Sequence, residues 1–225
     1  DIEVEVTDGF PDVAKAKNTI TSIAFNDPRT DEYFCYVLDV TDKLGLGDSK
    51  KSNKDETIIS FKDEYDLLNG FFMKYLEIKP TILTGWNVEF FDVPYLYNRA
   101  VHVVGKNVAD LLSPIGNVQW SDFKKRYKIA GVSILDYLPL YELFTFSQKV
   151  SYRLDAIGEL EVGEKKVEYE GTLNDLYEND LEKFVQYNIQ DVKLVKKIDD
   201  KLDFIEIARG IAHLGHCPYE DVFMS

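Results

Sequence analysis

The first six residues alternate strictly between acidic and aliphatic side chains. In an extended strand, residues two apart lie on the same face, so Ile2 and Val4 can face a core while Asp1 and Glu3 project together from the other face. Any half-exposed edge strand shows such a pattern, and a charged face protects an edge from aggregation. Spacing alone favours this explanation, although two neighbouring carboxylates can also bind a cation.

Two further strands are predicted near the start of the chain. Residues 20–26 and 32–40 are rich in β-branched and aromatic side chains, and the polar residues 27–31 form a turn between them. With residues 1–6 they predict three antiparallel strands. The stretch 41–56 has glycines and charged residues but no apolar period, which predicts a mobile loop.

The rest of the chain alternates between helical and strand patterns. Tyr65, Leu68, Phe72 and Leu76, for example, recur at helical spacing. Helices are predicted over 63–76, 94–104, 137–144, 153–160, 173–178 and 180–214 (with one break), strands over 81–84 and 133–135, and a basic, aromatic hairpin over 115–130. This order predicts an α/β fold with a mixed β-sheet flanked by helices, and a ribonuclease-H-like architecture fits it best.

The composition favours one globular domain over residues 1–225. Hydrophobic residues make up 45% of the chain, and the mean hydropathy is −0.24. No apolar run approaches the roughly 18 residues that span a bilayer, and there is no secretory signal, so no membrane partner is expected. Cys35 and Cys217 form neither a metal pattern nor a disulfide framework, which suits a reducing cytoplasm.

The net charge of −14 counts against nucleic acid as a partner, because Lys and Arg usually neutralise the phosphates. The charge does not exclude an enzyme that binds divalent cations, because these cations cancel acidic charge locally. An enzyme that binds only the end of a strand also needs few phosphate contacts. The main DNA-binding surface is then expected to lie outside this fragment.

Two acids further along the chain are candidates for the same site as Asp1 and Glu3. Asp92 precedes Val93 and Pro94, so helix capping is the simpler explanation for it. Tyr187 and Asp191 lie four residues apart on a predicted helix and share a face. A half-buried tyrosine and a solvated acid would explain this pair too, and each motif is weak when taken alone.

Other candidate residues carry less weight. Glu5 lies on the face of Asp1 and Glu3 but further along the strand, so we expect it to be solvated rather than a ligand. Aromatic residues in the motif and hairpin segments can stack on unpaired bases, although most such residues are core. The three histidines have no matching acids and are interpreted as structural.

Taken together, three strings resemble the exonuclease motifs of family B DNA polymerases, and they occur in the same order. They are DIE at residues 1–3, NVEFFD at 87–92 and YNIQD at 187–191. Further strings at 8–11, 83–89, 135–137 and 151–155 look like the polymerases of tailed bacteriophages. The ending at 218–223 resembles the segment that leads into the polymerase palm.

The resemblance implies a role for each matching residue. Asp1, Glu3 and Asp191 would hold one divalent cation, Mg²⁺ or Mn²⁺, and Asp1 would bridge to a second cation served by Asp92. Tyr187 would orient the nucleophile. Lys166 would contact a phosphate, although Lys165 competes for this assignment. Asn87 and Phe91 would contact the substrate.

The resemblance also implies a function and a setting. The chain would be a proofreading 3′ to 5′ exonuclease domain that takes a single-stranded DNA 3′ end, a fragment of a longer polymerase whose residues 205–225 lead toward the palm. Its partners would be the polymerase domain and replication accessory proteins, in the cytoplasm of an infected bacterium. A free-standing exonuclease and a catalytically silent binding module are the alternatives.

Overall fold

The computed structural model describes residues 1–7, 9–47, 50–53 and 55–224 apart from the Met224 side chain. The chain begins with three antiparallel strands. They are β1 (Ile2–Val4), β2 (Ile20–Asp27) and β3 (Glu32–Leu38). The prediction for this part of the chain is therefore confirmed.

The predicted loop over 41–56 is wrong in its second half. Lys50–Ser52 forms β4, and Glu56–Phe61 forms β5, which is parallel to β3. The pattern concealed β4 because it is an exposed, lysine-rich edge strand, and charged edges of this kind have no apolar alternation. Residues named in the predictions that lie outside the described part are Asp8, in the string at 8–11, and Asp48, Ser49 and Lys54, in the predicted loop.

Helices cover both faces of the five-stranded mixed sheet, whose strand order is β1-β2-β3-β5-β4. Phe34 and Tyr36 of β3 pack in the same core as α1 (Glu64–Ile78), whereas Cys35 packs with α7 (Leu181–Leu202). The two-residue alternation of a strand thus produces two cores, one on each face. The predicted mixed sheet flanked by helices is confirmed.

The remaining elements pack on the faces of the sheet or beside it. They include a parallel pair, β6 and β9, and an antiparallel hairpin, β7 and β8. The elements are β6 (Ile82–Gly85), α2 (Asp92–Val103), α3 (Lys106–Ala109), β7 (Val118–Ser121), β8 (Arg126–Ile129), β9 (Ser133–Asp136), α4 (Tyr137–Phe144), α5 (Leu154–Val162), α6 (Leu173–Asn179) and α8 (Phe204–Gly215).

Most of the predicted helices and strands of this region exist, and the hairpin lies within the predicted range 115–130. The short helix α3 was not predicted. The expected break in the last helical tract falls at Asp203, whose φ of 58° ends α7 before α8 begins. Within the described residues, no helix combines the length and the apolar character that crossing a membrane requires.

Candidate metal centre

Acids from the two ends of the chain meet on one face of the sheet. Asp1 and Glu3 project from the same face of β1, and Asp191 projects from α7, which packs across that face. One carboxylate oxygen from each of these three residues lies within 4.8 Å of the other two. The alternation of β1 and the crossing of α7 therefore assemble a three-carboxylate cluster.

Asp92 lies beside this cluster and is the first residue of α2. Its side chain is buried, and its Oδ1 accepts a hydrogen bond from the backbone N–H of Ile2 at 2.9 Å. The residue at the cap position is Phe91, and no side chain caps the helix. The capping explanation for Asp92 is therefore wrong, and this carboxylate instead fastens α2 to β1.

Burial is the main cause of the raised pKa values of the acids at this site. Burial, followed by the charge of Asp191, raises the pKa of Glu3 from its usual value to about 8. Burial also raises the pKa of Asp92 and of Asp191. Since ionised acids in a buried site repel each other and lack solvation, the cluster is short of positive charge.

The donor set fits a hard divalent cation. Among the described residues, Oδ1 of Asp191 is a buried oxygen without a hydrogen-bond partner, and an unsatisfied buried charge is costly. Mg²⁺ and Mn²⁺ favour carboxylate oxygens as ligands. Asp1, Glu3 and Asp191 together supply such oxygens, and the partnerless Oδ1 is the atom that a cation would satisfy.

Lys166 and Tyr187 form the polar wall beside Asp191. The ammonium group of Lys166 forms an ion pair with Oδ2 of Asp191 and lies 3.2 Å from the hydroxyl of Tyr187. Burial would lower the pKa of Lys166, but Asp191 and Tyr187 outweigh it and shift this pKa upward. Burial and the charge of Asp191 raise the pKa of Tyr187 to about 12. Lys166 is therefore charged and Tyr187 protonated at neutral pH.

Lys165 competed with Lys166 for the role of phosphate contact. Its ammonium group forms a salt bridge with Glu159 at 3.0 Å, and half of its side chain is exposed. Of the two neighbours, Lys166 is thus the lysine that contacts the acidic cluster.

Asn188 is a site residue that the sequence analysis missed. It is completely buried, its amide donates to Oδ2 of Asp1, and its carbonyl oxygen accepts from the Ser22 hydroxyl at 2.9 Å. The thiol of Cys35 lies 3.9 Å from the same oxygen. Because two donors hold the carbonyl end, the amide nitrogen must face Asp1. The available signal was position, since Asn188 lies three residues before Asp191 on one helix.

Asp136 organises the loop that carries the middle motif. It caps α4 at Leu138, and it also accepts the backbone N–H groups of Asn87 and Glu89, both at 2.9 Å. Burial, opposed by these hydrogen bonds, raises the pKa of Asp136 to about 6. Asn87 has a φ of 63°, a left-handed conformation that asparagine tolerates. The loop turns there and leads into α2 and Asp92.

Two phenylalanines form an aromatic surface at the start of α2. The ring of Phe91 is half-buried, and its centroid lies 5.3 Å from that of Phe10, which is 81% exposed. Phe10 was not identified from the sequence as a contact of Phe91. Trp86, by contrast, packs on Tyr137 and Tyr141 in the core, as expected for most aromatics of these segments.

The β7–β8 hairpin is tied to the middle motif through an ion pair. Arg126 of β8 contacts Glu89 at 2.5 Å, and Glu89 is buried. Trp120 and Phe123 of the hairpin are exposed, Phe123 almost completely. The predicted basic and aromatic hairpin therefore contacts the loop that positions Asp92.

Comparisons with known proteins agree with this geometry. The family model described as DNA polymerase family B, exonuclease domain, matches residues 1–157, and this family has a ribonuclease-H-like fold, as predicted. The DNA-directed DNA polymerases of Escherichia phage RB69 and Enterobacteria phage T4 are each 33% identical to the chain, over 99% and 98% of its length. A DNA polymerase of guinea pig cytomegalovirus is 29% identical over 73% of the chain. The chain spans 27% of the length of the two phage proteins.

The acidic cluster predicts how stability depends on pH without metal. The folded pKa of Glu3, about 8, lies above its unfolded value. Between about pH 4.5 and 8 the folded state therefore binds more protons, and the free energy of unfolding falls as the pH rises. Asp92 and Asp191, whose pKa values are also raised, act in the same direction. Thermal unfolding in EDTA across this range should show the decline.

Two variants test the origin of that decline. Glu3→Gln should flatten it and make the metal-free protein more stable at pH 8, while reducing the stabilisation that Mn²⁺ provides. Glu5→Gln is the matched control, since Glu5 is an exposed neighbour, and it should retain the parental slope. Identical slopes in Glu3→Gln and the parent would contradict the assignment.

Asn188 is predicted to set the orientation of Asp1. Asn188→Ala removes the amide donor and should weaken Mn²⁺ binding about 10- to 100-fold, the usual cost of losing a hydrogen bond to a ligand. Calorimetric titration with Mn²⁺ measures the effect, and circular dichroism monitors folding. Ser22→Ala, which leaves the amide in place but removes one of its two fixing donors, should have a smaller effect. Unchanged affinity in a folded Asn188→Ala protein would exclude the role.

Proposed function

Since the chain belongs to the exonuclease-domain family of family B DNA polymerases, we propose that it is a proofreading 3′ to 5′ exonuclease. It hydrolyses the terminal phosphodiester of a single-stranded DNA 3′ end and releases a nucleoside monophosphate. The observation that carries the proposal is the convergence of Asp1, Glu3 and Asp191, with Asp92 alongside, around a carboxylate oxygen that has no hydrogen-bond partner.

Two divalent cations are proposed as the cofactors, Mg²⁺ or Mn²⁺. Asp1, Glu3 and Asp191 would hold the first, and Asp1 together with Asp92 would serve the second. When bound, such cations lower the pKa of water, clamp the scissile phosphate and stabilise the leaving oxygen. No protein nucleophile is then required, and the side chains need only to bind, orient and supply charge.

Tyr187 and Lys166 supply these remaining roles. Tyr187 keeps its proton at neutral pH because its pKa is raised to about 12, so its hydroxyl can donate to the attacking water or to a phosphate oxygen. Lys166 carries a positive charge beside Asp191, which suits it to contact a phosphate. The two groups lie within hydrogen-bond distance of each other, so they would contact the same part of the substrate.

The aromatic surface next to the cluster is the proposed position of the terminal bases. Base stacking on aromatic rings tolerates any sequence, and the exposed ring of Phe10 lies against the half-buried ring of Phe91, which directly precedes Asp92. Asn87, which is exposed in the same loop, would contribute a polar contact. Mispaired ends separate more easily than paired ends, so selectivity comes from the cost of unpairing.

The broader setting is part of the proposal. The phage relatives are named DNA-directed DNA polymerases, so the proposed partner in the full-length chain is a polymerase domain, reached through residues 205–225. Replication accessory proteins are proposed as further partners, and the cytoplasm of an infected bacterium is the proposed location. The relatives favour this function over a free-standing exonuclease, and the presence of all four acids favours it over a silent binding module.

Removing single carboxylates should abolish hydrolysis. Asp92→Asn and Asp191→Asn are each expected to lower the rate on a labelled single-stranded oligonucleotide at least about 100-fold in Mg²⁺, because cation-based stabilisation is worth several kcal/mol. Glu5→Gln should retain parental activity, and EDTA should abolish it. Full activity in folded Asp92→Asn and Asp191→Asn proteins would refute the proposed function.

If bases stack on the aromatic surface, removing its rings should raise KM. Phe10→Ala combined with Phe91→Ala is expected to raise KM for a single-stranded oligonucleotide about tenfold or more, given the worth of base stacking, with a smaller change in kcat. Phe146→Ala is the control, because Phe146 is fully exposed in the loop after α4. Equal KM values in the double variant and the control would rule out stacking at this position.

A further inference from the structure

Lys166 lies in the loop of residues 163–171, which joins α5 to α6 and has no regular secondary structure. The side chains of Gln190 and Glu164 nevertheless fasten this loop to α7. We propose that Gln190 and Glu164 are positioning residues, which clamp the loop onto α7 so that the ammonium group of Lys166 faces the metal centre. The inference deepens the proposed function and rests on it, because the role of Lys166 there is to contact a phosphate.

The amide group of Gln190 contacts two parts of the loop. Its Nε2 lies 3.2 Å from Oε2 of Glu164 and 3.4 Å from the carbonyl oxygen of Lys165. An amide nitrogen carries two hydrogens, so one donor is available for each of these acceptors. The carbonyl of Lys165 belongs to the peptide bond that leads directly into Lys166. Gln190 therefore fixes the backbone at the point from which the Lys166 side chain departs.

Glu164 is tied to α7 a second time, through Lys197. The ammonium nitrogen of Lys197 lies 2.5 Å and 2.7 Å from the two carboxylate oxygens of Glu164. Gln190 and Lys197 lie two turns apart on the same face of α7, so the start of the loop is held along that face. A half-exposed ion pair stabilises little on its own. The contact of Gln190 with the loop backbone is therefore what gives the clamp its geometry.

The clamp also holds Lys165 away from the acidic cluster. The side chain of Lys165 forms its salt bridge with Glu159 of α5, while its carbonyl oxygen faces Gln190 of α7. Lys165 is thus fixed between two helices by its side chain and by its backbone. The next side chain, that of Lys166, is the one that pairs with Asp191. The clamp therefore explains which of two adjacent lysines reaches the site.

The backbone of the loop packs directly on α5 as well. The N–H of Glu164 donates to the carbonyl of Gly158 at 3.3 Å, and a Cβ at position 158 would lie 2.8 Å from the carbonyl oxygen of Glu164. Only a residue without a Cβ allows this close approach. The loop therefore starts between Gly158 on one side and Gln190 on the other, which fixes its path before it reaches Lys166.

The position of Lys166 can be tested without any substrate. Limited treatment with acetic anhydride, followed by mass spectrometry of a digest, gives the acetylation rate of each lysine. Gln190→Met keeps a side chain of similar length but removes its hydrogen bonds. It should raise the rate at Lys166 about threefold or more relative to the exposed Lys128 of the same molecule, because an ammonium group that leaves an ion pair loses its proton more easily. Gln186→Met, which changes an exposed glutamine one turn earlier on α7, is the matched control.

Hydrolysis of a labelled single-stranded oligonucleotide in Mg²⁺ tests the consequence for the proposed function, with circular dichroism as the check of folding. Gln190→Met and Glu164→Ala should each lower kcat/KM about tenfold, as the loss of one hydrogen bond to a charged group does. Glu164→Gln still offers an oxygen to Gln190 and Lys197, so it should recover most of the parental rate. In a Lys166→Met background, Gln190→Met should lower the rate no further, since residues that act through one another are not additive.

Unchanged acetylation of Lys166 in a folded Gln190→Met protein would overturn the clamp, and so would an equal effect of Gln186→Met. Additive losses of rate from Gln190→Met and Lys166→Met would also overturn it, because Gln190 would then act on something other than Lys166. A parent chain that fails to hydrolyse the oligonucleotide would contradict the proposed function alone, and the acetylation rates would still decide whether the clamp exists.

Discussion

The mutual repulsion of three carboxylates that converge beside β1 is the constraint on which the structure depends. Asp1, Glu3 and Asp191 hold oxygens within 4.8 Å of one another, and burial, followed by the charge of Asp191, raises the pKa of Glu3. Such a cluster persists only if the backbone fixes it. The antiparallel pairing of β1 and the packing of α7 across the sheet supply that rigidity, and Lys166 supplies one balancing charge.

The same constraint explains why buried polar groups are concentrated around the acids. Asn188 fixes Asp1 from α7, while Asp136 fixes the loop before Asp92 by accepting two backbone N–H groups. Neither residue belongs to the acidic cluster, yet Asn188 holds one of its carboxylates and Asp136 holds the loop that leads to the neighbouring Asp92. A metal centre needs ligands whose orientation is set by a supporting shell of hydrogen bonds, and here the two supporting residues come from two different elements, α7 and β9.

The sequence was informative where local periodicity determines structure. Alternation identified the first strands, and the motif order identified the acids that converge. The sequence was uninformative where the position of a residue depends on distant partners. The pattern of β4 is that of a loop, because a charged edge strand and a loop have similar sequences. The contact of Asn188 with Asp1 spans 187 residues. Spacing alone also favoured a capping role for Asp92, which the actual hydrogen bond to Ile2 excludes.

The net charge of −14 has a consequence for how the site can hold a phosphate. Lys166, the lysine that contacts the cluster, is already paired internally with Asp191. A divalent cation at the cluster would compete with Lys166 for Asp191, since both need the same carboxylate. Lys166 would then lose its acidic partner and could turn to the phosphate. Under the proposed function, cation binding and phosphate binding would thereby be linked through one lysine, and this acidic chain would bind a phosphate once its metal centre is filled.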